Sequence, residues 1–95
     1  RDNYAWACNK EEKFVELDLT VVKPTFTKVV ISGFQIDDMQ IKVRNGEELT
    51  VPAIKEKITE EFSTAFILSE PISPDALRLE FGTRPIELYE IEVFA

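Results

Sequence analysis

Histidine is absent from this chain of 95 residues, and cysteine, methionine and tryptophan occur once each. Without histidine, every His-dependent triad and the usual acid–base residue near neutral pH are missing. Cys8 alone forms no disulfide within the chain. A single cysteine without histidine also excludes the ordinary zinc and iron–sulfur ligand sets. Cys8 therefore reads as a small buried apolar residue before it reads as a nucleophile. No apolar run approaches the ~20 residues of a membrane-spanning helix, so membrane insertion is not expected. Positive charge is scarce. Eleven Lys and Arg face eighteen Asp and Glu, for a net charge of −7. A surface of that sign repels phosphate backbones and anionic membranes, so nucleic acid is not an expected partner.

What is present is enough for a core. Hydrophobic residues make up 44% of the chain and charged residues 31%. The length suits one domain, residues 1–95, and the start at Arg1 reads as a mature product or as a piece excised from a larger protein, the latter being expected.

The hydrophobic pattern has a period of two. In residues 14–20, Val15, Leu17 and Leu19 alternate with Glu16 and Asp18, as in a half-buried strand. Residues 26–32 form a β-branched run that Gly33 closes. Met39, Ile41 and Val43 alternate with Gln40, Lys42 and Arg44. Asn45-Gly46 follows at once, before Glu47-Glu48-Leu49-Thr50-Val51. Asn-Gly between two alternating runs predicts a tight hairpin with both residues at its centre.

Residues 52–62 have two readings. Ile54, Ile58 and Phe62 share a helical face, while Ile54, Glu56 and Ile58 share a strand face; the extended reading is slightly preferred. Residues 63–69 predict a strand with Phe66 and Leu68 in register. Residues 70–75, with Pro71 and Pro74, predict a loop. Leu77, Leu79 and Phe81 define another strand. Residues 86–94 define the last, in which Tyr89, Ile91 and Val93 are expected inward. Its inward parity slips between Leu88 and Tyr89, which suggests a bulge. Seven or eight short strands joined by turns predict an all-β, antiparallel β-sandwich or small barrel.

Four stretches resemble the discoidin-like jelly roll, the coagulation factor 5/8 type C fold shared by many carbohydrate-binding modules of glycosidases. They are Asp2-Asn3-Tyr4-Ala5-Trp6, Phe14-Val15-Glu16-Leu17-Asp18-Leu19, residues 39–47, and Leu77-Arg78-Leu79 together with Glu87-Leu88-Tyr89-Glu90-Ile91-Glu92-Val93. The resemblance implies an antiparallel β-sandwich of jelly-roll type. It also implies a structural calcium site involving Asp2 and Glu90, which would need six or more oxygen ligands. No other cofactor is expected.

The candidate ligand-binding residues are Tyr4, Trp6, Asn9, Gln35, Asp37, Asp38 and Arg84. Tyr4 and Trp6 have aromatic faces suited to the C–H side of a pyranose. Trp6 is read first as a plug of the core end and second as a sugar platform, because Trp is buried on average. Asn9 is placed in a loop before the first strand, and Gln35, Asp37 and Asp38 in a loop after the second. If those strands are antiparallel neighbours, both loops emerge at one end. Arg84, in the Gly82-Thr83-Arg84-Pro85 turn, is a bidentate donor, whereas Arg78 is expected to pair with a Glu on a neighbouring strand. Glu80, Glu87, Glu90 and Glu92 look outward, but a domain this small rarely builds a glycosidase cleft, so catalysis is not expected. The expected function is non-catalytic carbohydrate binding, as an accessory domain of a larger extracellular or cell-surface protein. The alternative is a protein–protein interaction or structural domain of the same fold. Sugar binding needs an exposed aromatic beside polar side chains, whereas a protein interface needs a broad apolar patch.

Overall fold

Two-residue periodicity buries every second side chain, and the strands follow it. The computed structural model describes residues 2–3, 6–9, 13–82 and 86–95, with side chains from residue 13 onward. Among these residues there are ten strands and no helix: β1 (Asp2–Asn3), β2 (Trp6–Asn9), β3 (Phe14–Asp18), β4 (Phe26–Phe34), β5 (Gln40–Asn45), β6 (Glu48–Thr50), β7 (Ile54–Thr59), β8 (Ser63–Ile72), β9 (Ala76–Glu80) and β10 (Glu87–Phe94). They form two five-stranded sheets, one ordered β1-β10-β4-β8-β7 and the other β2-β3-β9-β5-β6. Every pairing is antiparallel.

Setting aside the edge strands β2 and β7 leaves β1-β10-β4-β8 facing β3-β9-β5-β6. The chain changes sheet at each of these steps except the β5–β6 hairpin. That is the strand order of a jelly roll. Between the sheets lie Val15, Leu17, Leu19, Val29, Ile31, Met39, Ile41, Val43, Phe66, Leu68, Leu77, Leu79, Ile91 and Val93, all buried. The alternation in β3, β5 and β9 is therefore the inward face, as the sequence predicts.

The structure departs from the sequence expectations in several places, each with a local cause. β4 does not stop at Ser32 but runs through Gly33 and Phe34. It continues because the absent side chain at Gly33 lets the β10 backbone approach closely. The expected loop at residues 70–75 begins only after Ile72. Pro71 is accommodated because the pairing of β8 with β4 is irregular there: Lys28 faces Ile67, whereas Phe26 faces Ile72. A proline is tolerated where a ladder is interrupted. The ambiguous segment 52–62 contains strand β7, whose residues are all exposed at the sheet edge. The expected bulge in β10 lies between Leu88 and Glu90. It turns Tyr89 outward, so this residue is 58% exposed instead of buried.

The hairpin is where Asn45-Gly46 predicts it, but the turn is one residue later. Asn45 pairs with Glu48, which leaves Gly46 and Glu47 at the centre. Gly46 has φ 61°, and no positive φ occurs at Asn45 or Glu47. A glycine at the first central position is the requirement of a type II′ turn. A Cβ at Gly46 would meet nothing within 4 Å. The cost of Gly46→Val is therefore conformational and not steric. It is expected to destabilise the domain by about 1 kcal/mol or more, because a β-branched residue resists positive φ. Thermal melting checks this, and an unchanged curve would refute the turn assignment.

Candidate functional site

The polar candidates are positioned by a short turn whose flanks are buried. Ile36 and Met39 belong to the core, while Asp37 and Asp38 between them are exposed. Met39 N–H donates to the Ile36 carbonyl at 3.2 Å and closes the turn. Two side chains of the β4-β8-β7 sheet hold the same backbone. The buried Thr64 hydroxyl donates to the Ile36 carbonyl at 3.1 Å, and Lys57 Nζ donates to the Met39 carbonyl at 2.9 Å. Gln35 precedes the turn, half-buried and with φ 59°. A loop fixed by three hydrogen bonds and two buried flanking side chains presents its exposed tip on a rigid base, which is how scaffolded binding loops are built.

The other candidates fall partly outside this picture. Tyr4 and Arg84 lie outside the described residues, as do the side chains of Trp6 and Asn9. The backbone of Asn9 is not in a loop: it is the last residue of β2, opposite Phe14. Small residues at Ala7 and Cys8 leave little strand signal in that segment, although it pairs fully with β3. Trp6 stands opposite Leu17 and Cys8 opposite Val15, both partners being fully buried. The first two strands predicted by sequence, β3 and β4, are not neighbours but lie in different sheets. Asn9 and the 36–39 turn nevertheless share one end of the sandwich. Phe14 and Gln40 both pair with Glu80, which aligns the starts of β3 and β5. Gly82 also lies there: a Cβ added to it would stand 3.4 Å from Asp38 Oδ2.

At this end the structure adds residues that the sequence reading does not select. Phe34 is 44% exposed and Phe62 is 50% exposed, with ring centroids 6.3 Å apart and planes tilted by 32°. Glu87 is the cross-strand partner of Phe34. Tyr89 donates its hydroxyl proton to Glu87 Oε2 at 3.1 Å. Tyr89, Phe34 and Phe62 thus come from β10, from β4 and from the residue leading into β8, three adjoining strands. At about 4.8 Å between strands the three backbones span roughly 10 Å across the sheet, with Tyr89 two residues along β10 from Glu87, the partner of Phe34. The outward parity of Phe34 at the end of the β4 run was the available sequence signal. The strand order that assembles the row was not.

The Tyr89 phenol is held above its ordinary pKa, first by the hydrogen bond to Glu87, then by desolvation and the negative charge of that carboxylate. The protonated phenol is the form that the fold favours. Its stabilising effect is present below about pH 10 and lost as pH rises through the raised folded value. Phenolate absorbance should accordingly show Tyr89 titrating later than a free tyrosine, and Glu87→Ala should bring it back.

The outer face of the β3-β9-β5 sheet carries a ladder of ion pairs. Arg78 is bonded to Glu16 on β3 at 3.3 Å, as its position predicts, and lies 3.9 Å over the Phe14 ring. Arg44 reaches the other Glu16 oxygen at 3.1 Å, and Lys42 reaches Glu80 at 3.0 Å. At the far end, Glu16, Asp18, Thr20, Arg44, Gly46, Asp75 and Ala76 line an open concavity of about 390 Å³. Its polar groups are engaged with one another. Asp18 accepts from the Thr20 hydroxyl and N–H, and Asp75 accepts from the Gly46 N–H and pairs with Lys23. These contacts fasten the loops after β3, β5 and β8, which accounts for the residues structurally.

Both aspartates are held below the ordinary carboxylate value. For Asp18 the main cause is the Thr20 hydroxyl, followed by the Thr20 N–H. For Asp75 it is the Gly46 N–H, followed by Lys23. A depressed folded pKa contributes stability above the unfolded value of about 3.9, and this is lost as pH falls through the folded value. The melting temperature should therefore drop on acidification below about pH 4. Asp75→Asn should flatten that drop, and an identical acid profile would exclude Asp75 as a contributor.

No group of three or more His, Cys, Asp or Glu able to hold a metal occurs among the described residues. Asp2 is opposite Val93, three positions from Glu90, or roughly 10 Å along the strand. The register thus separates the backbones of the two carboxylates named for calcium. Comparison with protein-family models and with curated proteins finds no match to this chain.

Proposed function

We propose that this domain is a non-catalytic carbohydrate-binding module, an accessory domain of a larger secreted or surface protein, related in kind to the discoidin-like jelly rolls. The observation that carries the reading is the row of exposed aromatics Tyr89, Phe34 and Phe62 beside the anchored turn bearing Asp37 and Asp38. Aromatic faces pack against the C–H faces of sugar rings, while nearby polar groups take the hydroxyls. A row across three strands suits two or more linked rings over a single one. Each contact is weak, and tethering to a larger protein raises the effective affinity. The lack of histidine, the usual acid–base residue near neutral pH, favours binding over acid–base chemistry.

A glycan array probed with the isolated domain, followed by titration of the best oligosaccharide, tests the proposal. Phe34→Ala and Phe62→Ala are each expected to weaken binding by about tenfold, the equivalent of some 1.4 kcal/mol. Their melting temperatures should stay close to that of the parent, because both rings are half exposed. Absence of binding to every glycan would reject the proposal.

One observation supports the protein-interaction alternative. Val30, Ala65 and Ile58 form a cross-strand apolar row on the outer face of the β4-β8-β7 sheet. Ile58 is exposed and the other two are half-buried. Ile58→Lys would abolish a protein contact through this face while leaving glycan binding intact, which separates the two readings.

A further inference from the structure

We infer that the aromatic row, taken as the carbohydrate site proposed above, selects saccharides that carry free ammonium groups, such as 2-amino-2-deoxy sugars, over N-acetylated or acidic ones. The inference rests on that reading and adds the charge of the ligand.

Three features support it. First, a carboxylate is built into the platform. Glu87 is exposed, stands opposite Phe34 and is oriented by the Tyr89 hydroxyl at 3.1 Å. An ammonium group is attracted by ring faces, and an adjoining carboxylate adds a charge-assisted hydrogen bond. Second, the flanks have the same sign. Glu60 and Glu61 precede Phe62, and Asp37 and Asp38 follow Phe34 and Gln35; all four are exposed. Third, the described lysines close to this end point elsewhere. Lys57 is turned inward to the Met39 carbonyl and the Phe66 ring. Lys42 pairs with Glu80 on the other sheet, and Lys13 lies in the β2–β3 connection of that same sheet. A uronic acid or sulfated sugar would meet repulsion at the platform, reinforced by the net charge of −7.

The test is calorimetric titration of the whole domain with three oligosaccharides of equal length. These are a glucosamine oligomer at a pH where its amines are protonated, its N-acetylated counterpart, and a galacturonic acid oligomer. The glucosamine oligomer should bind about tenfold more tightly than the N-acetylated one, with the ratio shrinking in high salt. The acidic oligomer should not bind. Glu87→Gln should bring the ratio close to one, and Phe34→Ala should weaken the glucosamine oligomer. Melting curves of both variants establish that they are folded. Equal or tighter binding of the N-acetylated or acidic oligomer, still sensitive to Phe34→Ala, would overturn the ammonium selectivity and leave the carbohydrate reading standing. Glucosamine binding insensitive to both substitutions would overturn it in favour of diffuse charge attraction. No binding of any oligomer would overturn both.

Discussion

Replacing Gly33 with valine is expected to cost about 3 kcal/mol or more, at or above the upper end of ordinary overpacking. Gly33 is buried in β4, opposite Leu88 at the β10 bulge. A Cβ there would overlap the Glu87 carbonyl oxygen, and would lie 3.1 Å from the Glu87 carbonyl carbon and 3.3 Å from Ile36 Cγ2. The obstacle is backbone, which cannot rotate aside as a side chain does. Nor is β4 free to shift, since it is paired with β10 on one side and β8 on the other, and Gly33 N–H donates to the Phe62 carbonyl at 2.9 Å. Relief requires β4 and β10 to part beneath Phe34, Glu87 and Tyr89. The variant should therefore lose stability and flatten the aromatic row together. Gly33→Ala acts in the same direction, because the first carbon already collides. Denaturant unfolding measures the effect as a lowered midpoint with an unchanged slope. A Gly33→Ala protein within about 0.5 kcal/mol of the parent, the range of neutral surface changes, would refute the close approach. The contrast with Gly46 is instructive. There the space is open and only φ is special, whereas at Gly33 the space is closed.

The same contrast explains what the sequence could convey. Strands buried on one face announce themselves, because solvent and core impose opposite chemistry on neighbouring residues. Hence Val15, Leu17 and Leu19, or Met39, Ile41 and Val43, are legible from alternation alone. β7 is not, since the whole segment Ile54–Thr59 is exposed and its inward-facing Lys57 looks like any solvated lysine. β2 is short and carries Ala7 and Cys8, which give no periodic signal, so Asn9 reads as loop. The turn at Asn45-Gly46 is visible, but which pair of residues occupies its centre is set by the Asn45–Glu48 register. At the site, Asp37 and Asp38 are legible as a polar loop. Its rigidity is not, because Thr64 and Lys57 come from a sheet whose position no local pattern specifies. The aromatic row has the same origin. Tyr89 carries the parity slip that marks the bulge, yet its face, and its nearness to Phe34, depend on β10 lying beside β4. That adjacency closes the jelly roll over more than fifty residues of chain.

Truncating Phe66 to alanine is the second change expected to act strongly, at about 3–5 kcal/mol. Phe66 is 2% exposed on β8, an interior strand of its sheet, opposite Val29 on one side and Lys57 on the other. Removing the ring forfeits its burial and leaves a cavity that two paired strands cannot readily collapse. It also removes a contact of Lys57, whose ammonium lies 5.4 Å from the ring centroid while donating to the Met39 carbonyl. The 36–39 turn should loosen as a result, so a Phe66 variant that still folds should bind saccharide more weakly without touching it. Phe62→Ala is the matched comparison: same residue, same truncation, four positions earlier, but half exposed on the platform. It should cost about 0.5 kcal/mol in stability and most of the binding. The pair separates the two roles of phenylalanine in this domain. A Phe66→Ala loss no larger than that of Phe62→Ala would mean that the ring at 66 is not a core element, and with it would go the support argued for the turn.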